Sequence, residues 1–543
     1  MTNNISNLLE QGVSPELASR IPGVIEICKE QGLDPYELVI EEFNADEIAE
    51  LGAYGGFPVR YPHFSFGQQY ENLHHQYHSG MGKIYEMVVN NDPTYMYLQR
   101  NNPLVDNLTV VAHALAHSDF FKNNIYFGNT NRNMMNVMAN HGQRIRQYMD
   151  IYGKQKVSNF LDACLSIDDL IDPSIVWGDD KYNKPKKINF KDDINQFTPK
   201  RIPGKSYMDG FVNTEEYLSK QVSDHSNETY KQWTQYPKNP EADILLFILK
   251  NIRLKPWQQN ILSIVRDESV YFRPQMLTKV LNEGWASYWD SYIMTQCAFA
   301  EDEGIFSYAK HHSGVLGGKY AMNNPYRLGN YLLRDVERRW DKGQYGAAWE
   351  NCDDEFERKH WDTGAMKGRE KIFQVRRDYN DINFINEFFT REFCETHEYF
   401  EYKLDPESNK YVVVSKDFDR IKQSILRRYT NGGRPHISLI NFTADKIELR
   451  HEYTGDELDE NYLKRTMKML YKIVRMPVTL RTFVAVERKA STHGAIFAVY
   501  GNTGSKELVE RVYKYDGSKR DNSFKHWDLK KSAKVKEYLR DDI

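Results

Sequence analysis

Residues 109–121, TVVAHALAHSDFF, contain the feature that most constrains the fold of this chain. Val, Ala and Leu occupy every position from 110 to 116 except His113, and His117 follows directly. A run that is apolar on all sides is typical of a helix buried inside a protein, because each of its faces needs a covering element. The run therefore predicts a helical domain with a substantial core and raises the question of what two histidines do there.

Length and composition exclude several classes of protein. At 543 residues the chain is longer than one typical core, so two or more domains are expected. The 72 basic and 76 acidic residues leave a net charge of −4, which does not favour binding to nucleic acid. The five cysteines show no CxxC spacing, and the N-terminal residues show no signal-peptide pattern, so we expect a reducing cytoplasm. The sequence contains no run of about 18 apolar residues, so no membrane span is predicted.

Periodicity predicts a mainly α-helical N-terminal domain followed by a smaller α+β C-terminal domain. We divide the chain into an N-terminal helical segment at 1–60, a helical core domain at 61–400 and an α+β domain at 401–543. Residues 173–240 are polar, rich in Lys, Asp and Pro, and form a predicted loop-rich insertion. The main predicted helices and strands are helices within 1–52 and over 80–91, 103–120, 131–171, 276–300, 325–343, 414–429 and 459–474, and strands within 410–418, 434–453, 477–489 and 494–501.

His113 and His117 are spaced four residues apart, so their rings project from one face of a helix. Two imidazoles placed in this way are able to share one metal ion, as in HExxH zinc sites, although Ala114 replaces the glutamate of that motif. Burial of unpartnered rings costs about 1–3 kcal/mol each, so something must satisfy them. The sequence leaves two interpretations: metal ligands, or core histidines hydrogen-bonded to carbonyl groups.

Glu283 lies in an apolar and aromatic run, KVLNEGWASYWDSY, and a buried carboxylate of this kind needs a cation or strong donors. The string LNEGWASY resembles a stretch of gluzincin aminopeptidases in which the glutamate is the third zinc ligand. The alternative is that Glu283 caps the N-terminus of a helix. With His113 and His117, Glu283 completes a predicted zincin-like ligand set.

Further candidates lie elsewhere in the chain. His311 and His312 precede a glycine-rich turn, and His312 is a candidate fourth ligand or proton donor, with a surface loop as the alternative. Glu86 is predicted on an apolar helix as a catalytic base or as half of an ion pair. Asp119 is predicted as a base, as a group that orients an imidazole, or as a surface partner of Lys122. Four other histidines, in an aromatic-rich polar segment, are predicted to be solvated: His63, His74, His75 and His78.

Several stretches in order along residues 60–400 resemble the SpoVR family (stage V sporulation protein R). They include VVAHALAHSDFFKNN, KVLNEGWASYWDSYIM and NPYRLGNYLLRDVERRWDKG. Where many members have a Trp-His pair, Trp289 is followed here by Asp290, an oxygen ligand rather than an imidazole. The residues that match the family's motifs are His113, His117, Asp119, Phe120, Phe121, Lys122, Asn282, Glu283, Gly284, Trp285, Ala286 and His312.

The resemblance implies a bacterial cytoplasmic protein linked to spore cortex formation or to stress responses. It also implies partnership with a serine protein kinase and a von Willebrand-type A-domain protein. Combined with the ligand set, it predicts a hydrolase that uses a divalent metal, zinc in the first instance, to cleave an amide or related bond. The rival predictions are a non-enzymatic scaffold for the kinase and a redox di-metal protein, which would require more carboxylates.

Overall fold

The structure of the chain is a computed structural model, and it describes residues 5–78, 86–177, 198–202, 213–223, 236–296, 302–317, 323–487, 506–517 and 524–529. Two compact units share the chain. One comprises Met1–Ser158 and Asp267–Arg434, and the other comprises Asn159–Arg266 and Pro435–Ile543. The second unit thus joins residues 159–266 to the C-terminal residues. The division into segments 1–60, 61–400 and 401–543 stays a prediction.

The first unit is helical, with two small sheets. Up to residue 165 its elements are α1 Ile5–Glu10, α2 Pro15–Glu30, β1 Leu38–Phe43, α3 Ala45–Ala53, α4 Phe64–His78, β2 Glu86–Val89, β3 Thr94–Gln99, α5 Leu104–Asn123, α6 Met134–Tyr152 and α7 Lys154–Leu165, the last of which continues into the second unit. After α8 Ile244–Asn251 and α9 Pro256–Leu277, the unit continues with α10 Lys279–Gln296, α11 Asp302–Leu316, α12 Pro325–Asp341, α13 Ala347–Glu350, α14 Glu355–Lys359, α15 Gly368–Asp378, α16 Asp381–Phe388, α17 Arg391–Thr396, β4 Glu401–Asp405, β5 Lys410–Ser415 and α18 Phe418–Tyr429.

Helix α5 is buried along its length, as the apolar run predicted. Every residue from Asp106 to Phe121 is buried. The helices α2, α10, α11 and α15 and the strands β2 and β3 pack around it. A mainly helical domain built around this helix is therefore confirmed.

Three of the predicted helices are wrong in part. Residues 38–43 form β1, which pairs in parallel with β3, and Glu86–Val89 form β2 on the other side of β3. Both faces of β3 are largely buried, so its residues show no alternation that would have distinguished a strand. The predicted helix over 131–171 is interrupted at Gly153, whose φ of +93° is outside the helical region.

The second unit contains a five-stranded sheet in the order β10-β9-β8-β7-β6. Strands β7 and β8 are parallel and are connected through helix α19, whereas the other neighbours are antiparallel. The predicted α+β character of the C-terminal region is thus confirmed, and the predicted strand at 494–501 lies outside the described residues. The elements are β6 Ile437–Phe442, β7 Ile447–His451, α19 Glu460–Val474, β8 Val478–Glu487, β9 Lys506–Tyr515 and β10 Phe524–Asp528.

Helices α10 and α12 touch through a pair of glycines. A Cβ atom added to Gly329 would collide with the carbonyl oxygen of Val280 and with the backbone of Gly284, and one added to Gly284 would collide with Gly329. No side chain is able to yield here, because every atom in the way belongs to the backbone. The close approach therefore fixes how α10, which carries Glu283, lies against its neighbour.

We expect Gly329→Ala to lower the free energy of unfolding by about 1–3 kcal/mol, because α10 and α12 must move apart. Gly314→Ala is the matched control, since a Cβ at Gly314 meets nothing within 4 Å and alanine favours a helix by up to about 1 kcal/mol. Chemical denaturation of both variants measures the difference. Equal stability of the two would contradict the close contact.

Candidate metal centre

The candidate site lies between helices α5 and α10, which run antiparallel. His113 contacts Asp290 near the C-terminal end of α10, and His117, one turn further along α5, contacts Asn282 near its N-terminal end. The ring centroids of the two histidines are 4.7 Å apart, and only 5% and 6% of these residues are exposed. The spacing of four residues thus places both rings in one buried space, as predicted.

Glu283 extends into the same space from α10. Its Oε2 atom lies 3.4 Å from Nε2 of His117 and 3.8 Å from Nε2 of His113. Ligand bonds of about 2.0–2.1 Å at tetrahedral angles separate neighbouring ligand atoms by about 3.3 Å. One ligand atom from each of the three residues lies within 4.8 Å of the others, so the set fits a single ion.

The other nitrogen of each ring is held by a side chain of α10. Nδ1 of His113 donates to Oδ2 of Asp290 at 2.7 Å, and Nδ1 of His117 donates to Oδ1 of Asn282 at 2.9 Å. When Nδ1 carries the proton, Nε2 presents its lone pair, and both Nε2 atoms face the Glu283 carboxylate. This pattern is typical of histidines that bind a metal, whose second nitrogen is oriented by a carboxylate or carbonyl group.

Three electron-rich atoms that face one another in a buried space favour a cation between them. Oε2 of Glu283 is buried and makes no hydrogen bond within the described part of the chain. Burial raises the pKa of Glu283, but the imidazolium forms of His113 and His117, whose Nε2 protons and charge would face Oε2 when no metal ion is bound, outweigh it and hold the pKa well below its usual range. The carboxylate is therefore ionised at neutral pH and available as a ligand.

The predicted alternative for Glu283, a helix cap, is wrong, because Asp381 occupies that position. The two carboxylate oxygens of Asp381 accept hydrogen bonds of 2.9 Å from the backbone nitrogens of Val280 and Leu281 in the first turn of α10. Burial raises the pKa of Asp381 to about 7, and the charge of Glu283 adds to the rise. Asp381 therefore fixes the start of the helix, and Glu283, further along it, faces the histidines.

His312 is not one of the three residues that converge, so it does not complete a four-ligand cluster in the structure. It lies on helix α11 rather than in a surface loop, and its Nδ1 atom is 3.3 Å from Oδ1 of Asp290. Asp290 thus contacts His113 through one oxygen and His312 through the other. About 16% of the His312 side chain is exposed, so this histidine lies between the buried ligands and solvent.

The interpretations of Asp119 as a base, as a group orienting an imidazole and as a partner of Lys122 are not supported by its contacts. Its Oδ1 accepts from Arg376 at 2.7 Å and from the backbone of Asp34 at 2.8 Å, and its Oδ2 accepts from the Trp285 indole at 2.9 Å. Lys122 pairs with Asp34 instead. Although burial raises the pKa of Asp119, both of its oxygens are occupied by donors. Asp119 therefore joins α5, α10 and α15.

The prediction that Glu86 lies on a helix is wrong. Glu86 is the first residue of strand β2. Strand β2 packs against α5, the helix that carries the two histidines. Its assignment as a catalytic base stays a prediction.

The sequence indicated no role for Asn282, and it suggested Asp290 only as a possible metal ligand. For Asp290 the signal was present in the spacing, because Asp290 lies seven residues after Glu283 on the same helix. Residues seven apart on a helix share a face. What the sequence did not show is that α10 runs antiparallel to α5, which matches Asp290 to His113 and Asn282 to His117.

The family described as SpoVR like protein matches residues 14–434, which include the whole candidate metal centre. The chain belongs to the SpoVR family. A relative in Escherichia coli (strain K12), the uncharacterized protein YcgB, is 28% identical over 417 residues, covering 72% of this chain and 74% of that protein. No solved structure matches the chain. In this SpoVR protein, no helix within the described ranges has the length and apolar character needed to cross a membrane.

Proposed function

We propose that this SpoVR protein is a metal-dependent hydrolase whose ion is held by His113, His117 and Glu283. The observation that carries the proposal is the convergence of two oriented Nε2 atoms on a buried, ionised carboxylate oxygen. Two imidazoles and one carboxylate form the ligand set of His₂Glu catalytic zinc sites, which keep one position open. Zinc is accordingly the first metal to test.

Different residues of the chain would have different roles in such a site. A divalent ion held by His113, His117 and Glu283 would supply Lewis acidity and would make a water molecule more acidic. Asp290 and Asn282 hold the two imidazoles in the tautomer that carries the proton on Nδ1 and the lone pair on Nε2. The surrounding apolar residues of α5 and α10 exclude bulk water, which strengthens every electrostatic interaction in the site.

His312 is the group that we assign to proton transfer. Its contact with Oδ1 of Asp290 couples it to the residue that orients His113, and its partial exposure gives it access to solvent. A histidine in this position is able to donate a proton to a leaving amine and to regain one from water. Glu86, at the start of a strand that packs on α5, remains the candidate base.

The substrate and setting of the proposal come from the resemblance to SpoVR proteins. An amide bond in a peptidoglycan precursor fits both a zincin-like site and a role in spore cortex formation or stress response. A cytoplasmic location, and association with a serine protein kinase and a von Willebrand-type A-domain protein, belong to the same setting. The non-enzymatic alternative is a scaffold in which the same polar groups form a structural network.

Elemental analysis of the full chain, purified without a histidine tag and dialysed, tests the proposal. We expect close to one equivalent of metal per chain, and in Asp290→Asn a metal affinity about 10- to 100-fold weaker, because His113 loses the anion that orients it. Metal-dependent release of products from peptidoglycan-precursor peptides then tests hydrolysis. A metal content below about 0.2 per chain would favour the scaffold.

A further inference from the structure

A second group of metal-ligating side chains lies on the surface of the first unit. It consists of Asp46 on α3 and of His74 and His78 on α4, and we call it the α3–α4 cluster. One ligand atom from each of these residues lies within 4.8 Å of the others. The sequence indicated only solvated histidines here, because the carboxylate comes from a different helix.

The geometry of the α3–α4 cluster resembles that of the buried one. Nε2 of His74 and Nε2 of His78 lie 3.4 Å and 3.6 Å from the same oxygen, Oδ1 of Asp46. Charge-assisted hydrogen bonds between imidazolium and carboxylate groups are shorter, about 2.7–2.9 Å. The separation of two ligands around one ion is about 3.3 Å, which is closer to both observed distances.

Both parts of the cluster are positioned by regular structure. His74 and His78 are four residues apart on α4, and their ring centroids are 4.2 Å apart. Asp46 lies in the first turn of α3, where the side chain of Asn44 accepts hydrogen bonds from the backbone nitrogens of Asp46 and Glu47. The capping of α3 thus fixes the backbone at Asp46 opposite the two histidines.

Helix α4 packs against the unit but contributes no buried residue to it. None of the 15 residues from Phe64 to His78 is buried, although α4 packs along α3. An element that buries so little apolar surface opens locally at a low free energy. A ligand that bridges α3 and α4 would therefore have a large effect on the order of this helix.

We propose that Asp46, His74 and His78 form a second metal site, which binds a divalent transition-metal ion and ties α4 to α3. Two imidazoles and one carboxylate favour Zn²⁺, Cu²⁺ or Ni²⁺ over Mg²⁺ and Ca²⁺, which prefer oxygen ligands. The side chains of Asp46, His74 and His78 are 62%, 38% and 55% exposed, so the ion exchanges with solvent. The site binds more weakly than the buried centre and responds to the free concentration of metal.

Hydrogen–deuterium exchange of the full chain, titrated with Zn²⁺ alone, tests this proposal. An ion that binds only the closed helix reduces local opening by the factor 1 + [Zn²⁺]/Kd, so exchange in 64–78 slows by up to roughly 100-fold at a Zn²⁺ concentration 100 times the Kd. The double variant His74→Asn/His78→Asn removes this protection. His75→Asn, an exposed histidine of the same helix outside the cluster, retains it.

The same Zn²⁺ titration of the Glu283→Gln variant distinguishes binding at the α3–α4 cluster from binding at the buried centre. Protection of α4 that persists in Glu283→Gln and disappears in His74→Asn/His78→Asn assigns it to the α3–α4 cluster, whatever the fate of the proposed hydrolase. Exchange in 64–78 that is unaffected by Zn²⁺, or equally affected in the wild type and in the double variant, would overturn the proposal.

Discussion

Replacing Glu283 by glutamine is expected to abolish metal binding at the proposed site and any amide hydrolysis while leaving the helices folded. Glutamine has the shape of the native side chain but replaces an anionic ligand oxygen by a neutral amide. Loss of a direct ligand costs more than the roughly 10- to 100-fold in affinity that an orienting partner supplies. We expect elemental analysis to give less than about 0.2 metal per chain.

The matched control is Glu370→Gln, the same chemical change at an exposed position of α15. It should retain the metal, and circular dichroism of both variants should match that of the wild type. A Glu283→Gln protein that keeps a full equivalent of metal after dialysis would show that the carboxylate is not a ligand. The histidine pair would then be a structural feature of the core.

Asp119→Asn has the second large expected effect, and it acts on stability. The substitution leaves the guanidinium of Arg376, a residue that is only 9% exposed, without its counter-charge and places an amide among donors. Breaking a buried ion pair by removing one partner costs about 3–5 kcal/mol in the free energy of unfolding. Chemical denaturation measures the loss, and the folded fraction should still bind the buried metal.

Asp378→Asn offers a close comparison, because Asp378 pairs with Arg377, the residue next to Arg376, on the surface. Solvent screens that pair, so its loss should change stability little. A catalytic role for Asp119 predicts the opposite result: normal stability with lost activity. Equal stability of Asp119→Asn and Asp378→Asn would therefore contradict the structural role assigned to Asp119.

Parts of the fold followed from the sequence because local patterns determined them. The uniform apolarity around His113 predicted a buried helix, and Asn324-Pro325 and Gly343 marked the ends of α12, where Asn324 caps the helix and Gly343 adopts a φ of +72°. The strands β1 and β2 were missed because they are short and lie within stretches that resemble helices, and β3 was missed because it shows no alternation of buried and exposed residues. Their pairing is between residues as distant as Leu38 and Thr94, and no local pattern records it.

In the candidate metal centre, too, the features set by local sequence patterns were predicted, and those set by contacts between distant residues were not. The spacing of His113 and His117 and the unusual setting of Glu283 identified the three candidate ligands. The roles of Asp290, Asn282 and Asp381 depend on which helices are neighbours and in which direction they run. The partners of Asp119, Trp285 and Arg376, were not predicted for this reason, because they come from helices far along the chain.

The central position of α5 has a consequence for the synthesis of the protein. The partners of its histidines lie 165 and 177 residues further along the chain, on α10. At about 5–20 residues per second, the ribosome needs roughly 10 to 40 seconds after making α5 to complete α10 and α12. During that interval α5, whose residues 106–121 are all buried in the folded unit, lacks its main cover, so we expect nascent chains to depend on a chaperone until α12 has emerged.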